Sequence, residues 1–155
     1  KLSKRLKGIA AISLLLNKKV HIKGFSFTKY EKAWLTLFAG EADAVYGDNF
    51  YKGEKVVERI GNNVSLVFSE MDFGKMGTDE IVIRGRAGAD GNTIHVRFSN
   101  REDEMKQAVE FPSGEKYSSQ RFKIKLVKGK WDVTFIFLPG SSFDFESIQF
   151  IPVQP

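Results

Sequence analysis

The chain has 155 residues, 42% of them hydrophobic and 13% aromatic, with 24 basic residues against 19 acidic ones and a formal charge of +5. That much apolar surface offsets chain entropy and excludes global disorder, and the length suits one domain with its own core. The absence of cysteine excludes disulfides and thiolate chemistry, and no apolar run approaches the roughly 20 residues of a membrane-spanning helix.

The positive charge is concentrated at the start of the chain. Seven of the 24 basic residues lie between Lys1 and Lys23, where no acid occurs, which leaves 17 basic groups against 19 acids in the remainder. Leu2, Leu6, Ile9, Ala10, Ile12 and Leu16 keep a helical rhythm, so residues 3–16 are predicted to form a short amphipathic helix. Residues 1–19 read as a basic linker or helical lead-in that packs on a neighbouring domain, rather than a contact with nucleic acid or membrane. A chain that opens at Lys1 without methionine reads as a piece of something longer. The globular domain is predicted over 20–155.

Val20–Phe27 alternates as a strand, and Thr28 with Glu31 three residues on forms a capping-box pattern ahead of a short helix over 29–35. Strands follow near 37–46, 54–59, 62–69, 79–86, 92–99, 106–111, 119–127, 131–138 and 144–151. Their spacing predicts an all-β antiparallel sandwich or barrel. Asp90-Gly91 predicts a tight hairpin between 79–86 and 92–99. Within the latter, Ile94, Val96 and Phe98 share one face, and His95 and Arg97 the other. In the last third, Arg121–Leu126, Trp131–Phe137 and Phe143–Phe150 read as three strands of antiparallel sheet joined by short turns.

No catalytic set stands out. His21 and His95 are far apart in sequence without a third ligand type, which argues against zinc, and no phosphate-binding loop or Gly-x-Ser-x-Gly element is present. In Glu41–Asp48, strand alternation places Glu41 and Asp43 on one face, as oxygen ligands for calcium or as a solvated edge. Tyr46, Phe50, Tyr51, Tyr117 and Trp131 fall in loops or at strand starts. There they either stack on the CH-rich face of a pyranose or cover corners of the core. Loop aromatics and carboxylates without a nucleophile and base point to binding rather than catalysis.

Several motifs together resemble a family 6-like carbohydrate-binding module, a galactose-binding-like β-sandwich (jelly roll) of the kind appended to bacterial glycoside hydrolase family 2 enzymes such as β-galactosidases. They are Ala39–Asp43 with Tyr46–Asp48, Ile60–Phe68 with Met71–Gly74, Asn92–Phe98 and Phe135–Phe145, and they span roughly residues 20–151. The resemblance implies a non-catalytic module that brings a covalently linked catalytic domain to an oligo- or polysaccharide, β-galactosides included. It also implies a structural calcium at Glu41 and Glu146, the latter in place of the usual aspartate. The implied sugar cleft at the loop end corresponds to Tyr46 or Tyr51, Tyr117 and Asp144, with Asp in place of Asn and Tyr in place of Trp. A second implied site lies on a sheet face at His95 and Arg97. A structural domain that braces the parent enzyme without a sugar site is the alternative.

Overall fold

A computed structural model describes residues 15, 17–19, 31–88 and 90–154. Apart from Leu15, which lies in no regular element, the predicted helix over 3–16 is outside the described residues, as are the strand over 20–27, Thr28 and His21. Of the predicted helix over 29–35, the described part is a single 3-10 turn, Lys32–Trp34, whose cap Glu31 makes no side-chain capping bond.

Eleven strands follow: β1 (Leu37–Phe38), β2 (Ala44–Tyr46), β3 (Tyr51–Lys52), β4 (Val57–Ile60), β5 (Val64–Asp72), β6 (Thr78–Ala87), β7 (Asn92–Ser99), β8 (Glu104–Phe111), β9 (Ser118–Val127), β10 (Lys130–Phe137) and β11 (Phe143–Pro152). They form two antiparallel sheets. Sheet A has the order β3-β4-β11-β6-β9, with β1 also paired to β11, and sheet B the order β2-β5-β10-β7-β8. The predicted sandwich is the observed architecture, with alternating inward residues of both sheets meeting in one core.

Two local expectations differ from the structure. The predicted strand over 37–46 is broken by a 3-10 turn at Ala39–Glu41, after which the chain passes from sheet A to sheet B. The turn forms because Gly40 lies against the backbone carbonyls of Gly53 and Glu54, where any Cβ would overlap them, and its N–H donates to Lys55 O at 3.1 Å. The Asp90-Gly91 turn does not close a hairpin. Its glycine does take the left-handed conformation (φ 71°), but β6 belongs to sheet A and β7 to sheet B, so the turn arches between sheets. The three C-terminal strands likewise alternate between sheets instead of pairing in succession.

Phenylalanine fills the space between the sheets. Phe145 is wholly buried and packs edge-on against Phe135 (5.3 Å between ring centres), Phe137 (6.0 Å) and Phe143 (5.8 Å). Such ring pairs add to the area term of burial. Phe145→Ala should therefore cost about 3–5 kcal/mol, read as a lower midpoint in denaturant at unchanged slope. A loss below about 1 kcal/mol would mean that the ring is not packed as described.

Candidate functional site

Antiparallel register assembles a row of charged and aromatic residues across the outer face of sheet A. Tyr51 on β3 pairs with Glu58 on β4, Asp144 on β11 pairs with Arg86 on β6, and Tyr117 immediately precedes the Ser118–Gly85 pair of β9 and β6. Strands β4 and β11 meet through a bulge, since the register passes from Ile60–Phe143 directly to Val57–Phe145. Glu58 and Arg59 thus both face the single residue Asp144. The bulge holds Arg59 in the left-handed region (φ 54°), a costly conformation for a residue with a Cβ. Its N–H donates to Asp144 Oδ1 at 2.7 Å.

The other carboxylate oxygen, Asp144 Oδ2, accepts from Arg86 Nε at 2.9 Å and from a second guanidinium nitrogen. The same guanidinium lies over the Tyr117 ring, 5.4 Å from its centre, and the Tyr117 hydroxyl donates to Glu58 Oε1 at 3.0 Å. The bonds to Asp144 raise the Arg86 pKa further above its ordinary value. Burial, and after it the hydrogen bond to Glu58, pushes the Tyr117 hydroxyl well above the usual tyrosine range.

This row borders a depression of about 740 Å³, lined by Arg59, Arg86, Asp144, Ser113, Ser142 and Glu115 together with glycine backbone. The loops of one end of the sandwich meet around it. Gly88 N–H donates to Ser142 O at 2.9 Å, Gly114 N–H to Ala87 O at 3.0 Å, and Gly140 N–H to Asn62 Oδ1 at 3.0 Å. The Arg59 side chain is exposed and has no partner among the described residues.

Three of the predicted ligand residues, Tyr51, Tyr117 and Asp144, therefore share one row. Tyr51 is 58% exposed and offers a free ring, whereas Tyr117 is half-buried, with one ring face covered by Arg86. Tyr46 stands on the other sheet. It pairs with Ser65, and Ser65 and His95 both pair with Ile136, so Tyr46 and His95 belong to one row on the outer face of sheet B. Arg97 lies in the next row. Its Nε is the one buried side-chain nitrogen or oxygen without a hydrogen-bond partner among the described residues.

Two of the three expected calcium ligands, Asp43 and Glu146, are engaged by cations of the protein itself. Glu41 is exposed on the 3-10 turn that breaks the predicted alternation, and Asp43 accepts from Lys32 Nζ at 2.6 Å and Ser69 N–H at 2.8 Å. Glu146 Oε2 accepts from Arg84 Nε at 2.9 Å. Among the described residues no group of three or more His, Cys, Asp or Glu side chains converges as metal ligands. Cations of the protein itself thus answer two of these carboxylates.

Sequence reasoning missed Glu58, Arg59 and Arg86. One signal was available: in Val57-Glu-Arg-Ile60 two charged residues in succession separate two buried ones, a break in alternation that marks a bulge.

No family profile matches the sequence, and no curated protein matches it. Solved structures do. A family 6 carbohydrate-binding module from Clostridium stercorarium, in complex with cellobiose, is 21% identical with a TM-score of 0.65, covering 78% of this chain and 95% of the module. One from Clostridium cellulolyticum, in complex with xylose, is 20% identical with a TM-score of 0.65, covering 77% and 98%. A glycoside hydrolase family 43 arabinoxylan arabinofuranohydrolase from Bacillus subtilis, in complex with cellotetraose, matches over 77% of this chain and 24% of the enzyme, with 20% identity and a TM-score of 0.56. The fold is thus an antiparallel β-sandwich of the kind seen in family 6 carbohydrate-binding modules.

The Tyr117 environment has a consequence for stability. Its folded-state pKa is raised, so the folded protein keeps a proton that the unfolded chain releases near pH 10. Stability should fall as pH rises above roughly 10. Unfolding measured between about pH 8 and pH 11 should show a steeper decline in the native chain than in Tyr117→Phe. Equal slopes would show that the hydroxyl is not held as described.

Proposed function

We propose that this chain is a non-catalytic carbohydrate-binding module that holds a linked glycoside hydrolase on its polysaccharide. One observation carries the reading: at the loop end of the sandwich, Asp144, Arg59 and Arg86 converge with serine hydroxyls and glycine backbone on an open depression of about 740 Å³, close to the exposed Tyr51 ring. The structural neighbours solved with cellobiose and xylose support the ligand class. The neighbour within a larger hydrolase supports the tethered role.

The chemistry suits a pyranose. A carboxylate offers about four acceptor positions, and Asp144 uses three of them, one for the Arg59 N–H and two for Arg86. One acceptor position is left for a sugar hydroxyl. The unpartnered Arg59 guanidinium donates to ring or hydroxyl oxygens, and the Tyr51 ring offers a face for stacking. A small hydrated sugar repays much of this in desolvation, so Kd is of the order of 0.1 to 1 mM, roughly 4 to 5 kcal/mol. Tethering to a catalytic domain then raises the local concentration of the glycan. The ligand class comprises β-linked gluco- and xylo-configured glycans, and the resemblance to family 2 enzyme modules adds terminal β-galactosides.

A second reading, a bracing domain with no sugar site, is favoured by one feature: Arg86 covers Tyr117 and occupies Asp144, so much of the row is satisfied internally. Isothermal titration of the chain against cellobiose, xylobiose, laminaribiose and lactose separates the two. Binding should weaken at least about tenfold in Arg59→Ala and in Asp144→Asn, a variant that keeps an acceptor for the Arg59 N–H. Absence of binding by a folded chain favours the bracing role. Binding lost in His95→Ala or Arg97→Ala, and intact in the other two variants, moves the site to the outer face of sheet B.

A further inference from the structure

The opposite end of the sandwich carries a second depression, of about 760 Å³, and both tryptophans of the chain line it. Trp34 comes from the 3-10 turn ahead of β1, and Trp131 from the start of β10. Each is half-buried and fixed by contacts behind it. Trp131 Nε1 donates to Lys128 O at 2.6 Å, and Trp34 packs edge-on against Phe73 at 5.8 Å. Indoles already held in place lose little rotamer freedom when a ligand stacks on them.

The polar groups here follow the same geometry as the loop end. The register of β5 and β10 passes from Met71–Trp131 to Phe68–Val133, so Ser69 and Glu70 bulge opposite the single residue Asp132. Glu70 takes the left-handed conformation (φ 57°), and its N–H donates to Asp132 Oδ1 at 2.8 Å. The bulge leaves the Glu70 carboxylate exposed beside the depression, and neither it nor Glu31 has a side-chain partner among the described residues. Four carboxylates and three cations line the depression, and one of the cations, Lys32, is committed to Asp43 at 2.6 Å. Acceptors are therefore in excess, which suits hydroxyl donors and opposes uronate, sulfate or phosphate groups.

We propose that this tryptophan-lined depression is a second saccharide site, distinct from the loop end and the sheet face. It takes a neutral pyranoside stacked on an indole, with Glu31 and Glu70 accepting its hydroxyl hydrogens and Arg101 donating at its rim. The site does not depend on the loop-end reading.

Because no other tryptophan exists in the chain, intrinsic tryptophan fluorescence reports on this end. The experiment titrates the full chain with cellobiose, xylobiose, laminaribiose and lactose up to about 10 mM, ten times a Kd of about 1 mM, with glucuronic acid as the charged control. A saturable change in emission is expected with a neutral disaccharide and not with glucuronic acid. Glu70→Gln should weaken it at least fivefold, Trp131→Phe should reduce its amplitude, and Arg59→Ala at the loop end should leave it unchanged. Thermal unfolding of each variant confirms that it is folded. No saturable change with any of these sugars overturns the proposal. A change abolished by Arg59→Ala and retained in Glu70→Gln also overturns it, since the signal would then originate at the loop end.

Discussion

Phenylalanine rings occupy the space between the sheets in two clusters, edge-to-face apart from the stacked pair Phe137–Phe143, and the polar surface takes its shape from where they stop. One cluster joins Phe68, Phe135, Phe145, Phe137, Phe143 and Phe111 beneath the loop end; the other joins Phe98, Phe150 and Phe73 to Trp34 at the opposite end. Phe143 and Phe145 flank Asp144 and are both buried, so the period of two in a strand turns Asp144 outward to Arg86. A register slip of one residue would bury the carboxylate and expose the rings, which ties the polar row to the register of the core.

The two ends repeat one device. In each, two residues bulge against a single aspartate on the neighbouring strand, and one of them is held at positive φ with its N–H on the aspartate, Arg59 on Asp144 and Glu70 on Asp132. A left-handed residue with a Cβ costs of the order of 1 kcal/mol or more, and a charge-assisted hydrogen bond offsets about that much. The geometry turns a long charged side chain toward a depression at the sandwich rim without a glycine. The charge differs: an arginine at the loop end, a glutamate at the other.

Local pattern was legible in the sequence, and long-range pairing was not. Strand β7 matches the predicted 92–99, and the alternation of Arg121–Leu126 does place Phe122 and Ile124 toward the core. The sheet to which a strand belongs left no such trace. Gly91 takes the positive φ expected of a hairpin, yet the same turn serves as an arch between sheets. Gly40 broke the predicted first strand through an approach to residues 53 and 54 that no local window shows. At the site, Asp144 was found through resemblance, while its partner Arg86 lies on a strand far earlier in the chain. The meeting of Trp34 with Trp131 depends on the same kind of distant closure.

The last strand lies in the middle of sheet A, bonded to β6 along one side and to β4 and β1 along the other. During synthesis, the strands that flank it emerge first and have no partner in the centre until Phe143–Pro152 leaves the ribosome. Sheet B, by contrast, has all its strands once β10 is made. Sheet A therefore spends much of translation in two separate pieces with open edges, the β3–β4 pair and the β6–β9 pair, which only β11 can join. Folding closes with the strand that carries Asp144, so the order of assembly on the ribosome completes the loop-end row last.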